Sequence, residues 1–210
     1  MDFKRARTQG QIDTRRDEIL NACTRLYVEK GYDGVNFKAV SELTSVSRPS
    51  LYKYYSTKGE MLLEILRRCY SDWADELGDA FASAESLDRE TFCDILTDSL
   101  MGREMMLRLL SLDLIAIEND SEIGRITDFK TTVRRLMETV DGSVRRFFPD
   151  ADRKSRDMFL SSFFAYMYGI YPMTHPTEKL VEAMEAAGIV IKTDMREICY
   201  GGFMLLTSDL

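Results

Sequence analysis

Residues 36–58 read NFKAVSELTSVSRPSLYKYYSTK, and their pattern decides the fold. Asn36 is a strong helix start, and Phe37, Val40 and Leu43 follow at helical spacing, so a short helix is expected over about 37–43. Thr44-Ser45-Val46 reads as a tight turn with Val46 as its apolar plug. Ser47 should cap the next helix, with Pro49 in the first turn, where a missing N–H is tolerated. Leu51 and Tyr55 then point into a small core, leaving Arg48, Ser50, Tyr52, Lys53 and Tyr54 outside. Two short helices joined by a tight turn, with the second presenting basic and hydroxyl groups outward, is a helix-turn-helix pattern.

Upstream, Asp13 to Lys30 carries Ile19, Leu20, Cys23, Leu26 and Tyr27 on one helical stripe. Gly31 stops that helix, and Tyr32 is expected to fold back over its end. Residues 1–11 are polar and read as a mobile basic arm. Downstream, Thr57 and Glu60 form a capping box that opens a long fourth helix. Its stripe is Leu62, Leu66, Cys69, Trp73 and Leu77, with no flexible linker inside it, so it is expected to join two parts of the chain rigidly.

Further helices are expected over about 88–100, 103–118, 122–148, 153–171, 177–187 and 193–207, with Pro149, Pro172 and Pro176 in the joints. Gly188 to Ile191 is too short a β-prone run to matter, so the chain reads as all-α. The expected division is a head over 1–58 and a helical control and pairing domain over 59–210.

Charge supports that division. Residues 1–58 hold 11 Lys and Arg against 7 Asp and Glu, a net of +4, while the other 152 residues hold 17 against 28, a net of −11. An overall −7 therefore conceals a basic head on an acidic body, the distribution expected of a nucleic-acid reader with a separate control domain. No secretory segment or membrane span is legible, so a cytoplasmic location is expected. Cys23, Cys69, Cys93 and Cys199 form no CxxC pair and read as small core residues.

The residues resemble the TetR family of bacterial transcriptional regulators. The resemblance is carried by Ile19-Leu20-x-Ala22, Leu26-Tyr27, Glu29-x-Gly31-Tyr32, Val40, Val46-Ser47, Ser50-Leu51-Tyr52-x-Tyr54-Tyr55 and Lys58-x-Glu60-Met61-Leu62. Three positions depart from the family pattern. Val35-Asn36 replaces a Thr before the second helix, Thr44-Ser45 replaces Ala-Gly in the turn, and Pro49-Ser50 replaces Gly-Thr or Gly-Ser at the reading-helix entry. A left-handed Ser45 would cost about 1–2 kcal/mol.

A helix fits the major groove, where base edges carry a distinguishing code. Ser47, Arg48, Pro49, Ser50 and Lys53 are the expected base readers, and the resemblance implies Tyr52, Tyr54 and Lys58 for phosphate, with Asn36 an expected further contact although it lacks the family's hydroxyl. The N–H groups opening the fourth helix beside Lys58 would add an anion site. The resemblance also implies a homodimer on a palindromic double-stranded DNA operator, pairing through about 153–171 and 193–207. Phe159, Phe164, Tyr168, Tyr171, Ile198, Phe203 and Leu206 are the candidate interface residues. It further implies a pocket for a small apolar or amphipathic effector, with Trp73, Leu77, Phe81, Met101, Met105, Leu109, Met137, Phe163, Tyr166 and Met167 as candidate lining, and release from DNA by that effector. Repression is the usual outcome in the family.

An enzyme is not expected. His175 is the single histidine, which excludes a two-His metal motif, and no Gly-rich phosphate loop, HExxH or GxSxG is present. No cofactor or metal is expected. The other reading is a small-molecule binding protein with a degenerate reading head, supported by the departures at Asn36, Ser45 and Pro49.

Overall fold

The computed structural model describes residues 9–190 and 194–210. Among them the regular elements are all helical: α1 Gln9–Gly34, α2 Phe37–Glu42, α3 Arg48–Leu51, α4 Lys58–Ser83, α5 Arg89–Leu100, α6 Glu104–Arg108, α7 Leu114–Asn119, α8 Ile123–Phe147, α9 Arg153–Thr174, α10 Glu178–Ala186 and α11 Met195–Leu206. A π-helical turn, Leu109–Asp113, joins α6 to α7. Helix α1 begins at Gln9, so residues 9–11 of the expected arm are its first turn, and 1–8 lie outside the described residues.

The chain forms two compact units. Of the described residues, the head unit contains those up to Arg68 together with Ile115–Phe129, and the body unit contains Cys69–Leu114 and those from Lys130 onward. This division differs from the expected boundary at 58/59. Met61, Leu62, Leu63, Ile65 and Leu66 of α4 are all buried, and Arg68 pairs with Asp17 of α1 at 2.6 Å, so the first turns of α4 belong to the head.

In the head, the α1 stripe Ile19, Leu20, Cys23, Leu26 and Tyr27 is buried as expected, with Val40, Val46, Leu51 and Tyr55. Gly31 interrupts α1 with φ 68°, a backbone region where a Cβ is strained. Leu43, expected inside, is 43% exposed, because α2 ends at Glu42 and Leu43 falls at its C-cap.

The body is built around aromatic rings. Trp73 and Phe163 lie 5.9 Å apart between centroids, Phe81 and Phe92 5.2 Å, Phe159 and Phe163 5.8 Å, and Phe163 and Phe203 5.4 Å. Spacings of this size give edge and offset ring contacts beyond plain area burial. The Trp73 indole N–H donates to Ser99 Oγ at 2.8 Å, which satisfies the one polar atom of the largest buried side chain. Helix α9 continues through Pro172 to Thr174, whereas a joint was expected there. The proline sits in the last turn, where only one ladder hydrogen bond is lost before the helix ends. Gly188 (φ 71°) closes α10, and the N–H groups of Gly188 and Ile189 bond back to Glu185 and Met184.

Candidate nucleic-acid interface

Each part of the reading element is held by an identifiable bond. Asn36 caps α2, its side chain accepting from the Ala39 N–H at 3.0 Å. Ser47 stands at the start of α3 in extended conformation, but its hydroxyl donates to Ser50 Oγ at 3.0 Å and no backbone N–H is capped. Helical bonding continues past Leu51, with the N–H groups of Lys53, Tyr54 and Tyr55 bonding to Ser50, Leu51 and Leu51. Arg48, Pro49, Tyr52 and Lys53 are exposed while Leu51 and Tyr55 are buried, which gives the reading helix a clear inside and outside. Burial, with the Glu64 carboxylate nearby, pushes the Tyr55 hydroxyl up to about 12, so it stays neutral.

The turn carries no left-handed strain, since among the described residues only glycines have positive φ. Ser45 is instead clasped by α1. Its N–H donates to Glu18 Oε1, its hydroxyl donates to Glu18 Oε2 at 2.9 Å, and Arg15 donates to that same hydroxyl. Partial burial works against ionisation of Glu18, but the Ser45 bonds and the Arg15 charge outweigh it and hold the carboxyl below its usual value of 4.5.

The four residues read as phosphate contacts divide. Tyr52 is exposed and stacks on Phe37 at 4.3 Å with rings 5° apart, so Phe37 is a shelf for the reading helix. Tyr54 is half-buried, and its carbonyl accepts from Arg125 Nη2 of α8 at 3.2 Å. Asn36 spends its side-chain oxygen on the cap. Lys58 is turned inward: Nζ lies 3.8 Å over the Tyr32 ring, donates to the Tyr32 carbonyl at 3.1 Å and pairs with Asp33 at 3.9 Å.

The opening of α4 is also occupied. Thr57 Oγ1 accepts from the Glu60 N–H at 3.1 Å, and Glu60 Oε2 accepts from the Ser56 N–H at 2.7 Å, a capping box reaching one residue further back than its usual form. The Gly59 N–H donates to Asp120 Oδ2 at 2.9 Å, and the Thr57 hydroxyl donates to the Asp120 carbonyl. Sequence reading missed Glu18, Asp120 and Arg125. They lie 27, 61 and 71 positions from their partners, and no local pattern marks them.

In the body, the candidate effector residues Trp73, Leu77, Phe81, Leu109, Phe163 and Met167 are buried, while Met101, Met105 and Tyr166 are half-buried. Met137 is 38% exposed and cannot line an internal pocket as it stands, because the buried face of α8 runs through Leu136, Val140 and Val144. The candidate pairing residues also divide. Phe159 and Phe203 are buried within the chain among Phe92, Phe163 and Tyr166, and so cannot face a partner. Tyr168 is exposed, and Phe164, Tyr171, Ile198 and Leu206 are half-buried. Exposed Met158 and Met173 escaped the sequence reading, while Leu205, read as part of the apolar load of the last helix, is exposed. A Cβ on Gly202 would meet the Tyr166 ring at 2.4 Å, so glycine is what lets α11 close on α9, with Tyr166 donating to the Ile198 carbonyl at 2.8 Å. His175 caps the end of α9, stacked 4.4 Å from Tyr171, with Nδ1 2.9 Å from Thr174 Oγ1.

A three-helix head with an outward reading helix, joined to a helical body, defines a helix-turn-helix transcriptional regulator. The chain belongs to the tetR family of bacterial regulatory proteins: the family profile matches residues 19–65, and the tetracyclin repressor-like C-terminal domain profile matches 67–197. Members of this family are non-enzymatic transcription factors. Among curated relatives, the transcriptional activator FasR of Mycolicibacterium smegmatis is 34% identical over 56 residues, 27% of this chain and 26% of that protein. The negative regulator IcaR of Staphylococcus epidermidis is 31% identical over 62 residues, 30% of this chain and 34% of that protein. The chain thus spans about a quarter to a third of the length of these relatives. The fatty acid degradation regulator FadR of Bacillus halodurans has the same fold, with a TM-score of 0.63 at 14% identity over 98% of both chains. FadR of Bacillus subtilis, solved with stearoyl-CoA, gives 0.63 at 12% identity over 92% of this chain and 98% of that one. No helix among the described residues is long and apolar enough to cross a membrane.

Proposed function

We propose that the protein is a cytoplasmic repressor that binds a palindromic DNA operator as a homodimer and is released by a small apolar or amphipathic effector. The observation that carries this is the two-sided stretch formed by α3 and the turn after it: Leu51 and Tyr55 are locked in the core, while Arg48, Pro49 and Lys53 stand exposed for base edges. Arg48 and Lys53 suit guanine, Pro49 a thymine methyl, with Ser47 and Ser50 beside them. Exposed Tyr52 is the phosphate contact best supported by its position. The functional division is a reading head over about 1–58 and an effector and pairing domain beyond it.

Pairing is supported by an outward stripe on α9. Met158, Ser161, Ala165, Tyr168 and Pro172 are all exposed at alternating spacings of three and four, a seam suited to a second helix pair. A groove of about 520 Å³ lined by Arg153, Lys154, Asp157, Met158 and Ser161 lies along the start of this stripe. Exposed Leu205 of α11 extends the apolar surface available to a partner. An apolar effector would enter by opening the ring cluster around Trp73 and Phe163.

Selection of bound DNA from a random pool tests the reading. The expected product is an inverted repeat with half-site centres about 10 base pairs, or a multiple, apart. Recovery of no preferred sequence would leave the alternative, a small-molecule binder with a lapsed head. The three departures leave the head folded, since Asn36 caps α2, Ser45 is clasped without strain and Pro49 sits in the first turn of α3. Repeating the selection with fatty acids and long-chain acyl-CoA tests effector class. A reporter under the recovered site tests repression, and sedimentation at micromolar concentration tests the dimer.

A further inference from the structure

Helix N-termini attract anions because their first N–H groups are unbonded and the helix dipole is positive there. In a helix-turn-helix head, the opening of the helix after the reading helix is a natural seat for a DNA phosphate. Here that seat holds one of the protein's own carboxylates. Asp120, in the turn after α7, accepts from the Gly59 N–H at 2.9 Å, and its carbonyl accepts from the Thr57 hydroxyl. The contact is sterically fitted. A Cβ on residue 59 would stand 2.8 Å from Asp120 Cβ and 2.9 Å from the Ile117 carbonyl, so only glycine admits the segment this closely. The neighbouring cation is withdrawn as well, with Lys58 held by Tyr32 and Asp33.

Further bonds fasten the same segment to the head. Arg125 donates to the Tyr54 carbonyl at 3.2 Å, and the Tyr32 hydroxyl donates to the Ala116 carbonyl at 3.5 Å. Residues 115–129 therefore hold both the end of the reading helix and the start of α4.

We propose that Asp120 is an autoinhibitory plug: its carboxylate occupies the position at the start of α4 that a DNA phosphate takes in the bound state, so full DNA affinity requires the Asp120 turn to withdraw. The proposal rests on the DNA-binding reading above. The chain contains a means of withdrawal. The helical run that ends at Asp120 includes the π turn Leu109–Asp113, where the Ser111 hydroxyl is buried without a hydrogen-bond partner. Converting a π turn to an α turn rotates the residues that follow it by about 100° and advances them by about 1.5 Å along the run. A shift of that size breaks a hydrogen bond, which fails within a few tenths of an ångström beyond 3.2 Å.

The test compares salt-dependent operator binding by the full-length wild type and its Asp120→Asn, Glu122→Gln and Gly59→Ala variants. Asp120→Asn keeps shape and an acceptor but removes the charge. The expected result is about two- to fivefold tighter binding, with log K falling more steeply against log salt by about 0.9, one additional phosphate contact. Glu122 is exposed two residues away, so Glu122→Gln controls for general loss of negative charge. Gly59→Ala leaves every charge in place and expels the turn by contact alone, and is expected to bind tighter too. The proposal is overturned if Asp120→Asn gains no more than Glu122→Gln, or if Asp120→Asn and Gly59→Ala, both folded by circular dichroism, bind no tighter than wild type. Absence of any sequence-specific binding by wild type would instead break the reading on which the proposal rests.

Discussion

The head and the body solve the same problem, packing helices, with different chemistry. The head is fixed by individual polar devices: the Asn36 cap, the Glu18–Ser45 clasp, the Thr57–Glu60 box and the Asp120 contact. The body is fixed by interlocked rings around Trp73 and Phe163, with its buried hydroxyls at Thr97, Ser99, Thr174 and Thr207 bonded locally to helix carbonyls. A surface that must match DNA within ångströms gains from directional bonds, each setting one angle. A body that must adapt gains from apolar contacts, which are additive and non-directional.

Substitutions should separate the two regimes. The largest effect is expected in the body, where Trp73→Ala removes the largest buried side chain and leaves the Ser99 hydroxyl with only its bond to the Leu96 carbonyl. It should cost about 3–5 kcal/mol of stability, read by denaturant unfolding, while the selected DNA sequence stays the same. Arg48→Ala is the converse. It should cost about 1–3 kcal/mol of discrimination at one base position, measured with single-base operator variants, and shift stability by no more than about 0.5 kcal/mol. If both variants altered stability and sequence preference together, the contrast between the units would fail.

Smaller changes sharpen the picture of the head. Asn36→Ala should destabilise by about 1 kcal/mol through loss of the cap, detectable as a lowered denaturation midpoint. Ser45→Gly restores the residue usual in the family, yet here it should destabilise by about 0.5–1.5 kcal/mol. The backbone does not need positive φ in this turn, and the hydroxyl bond to Glu18 is lost. A stabilised Ser45→Gly protein would show that the hydroxyl part of the clasp contributes nothing.

The smallest effect is in pH. Glu18 is held below its usual 4.5 in the folded state, so its contribution is complete above that value and is lost as pH falls through 4.5 towards and past the folded value. The expected signature is a modest fall in melting temperature between pH 5 and the acid side of 4, reduced in Glu18→Gln. An unchanged pH profile in that variant would place the dependence on another group.

Most of the fold was legible in the chain because helices are specified locally. The α1 stripe, the Asn36 cap, the Val46 plug and the Leu51–Tyr55 pair all depend on residues within a few positions of one another. Sequence reading failed where outcome depended on which neighbour arrived. Phe159 and Phe203 looked like excess apolar surface available to a partner, yet the chain's own rings cover them. Met137 looked like pocket lining, yet the neighbouring register of α8 is the one that is buried.

The opening of α4 shows the division most directly. By itself the sequence determined that a helix begins after Thr57, that it is capped by Thr57 and Glu60, and that its first N–H groups form an anion site beside Lys58. Only the tertiary structure decided that Asp120 fills the site and that Lys58 faces Tyr32. The physical reason is range. A cap is a bond between residues three apart and can be read from their order, whereas a carboxylate 61 positions away reaches Gly59 only after the whole head has folded.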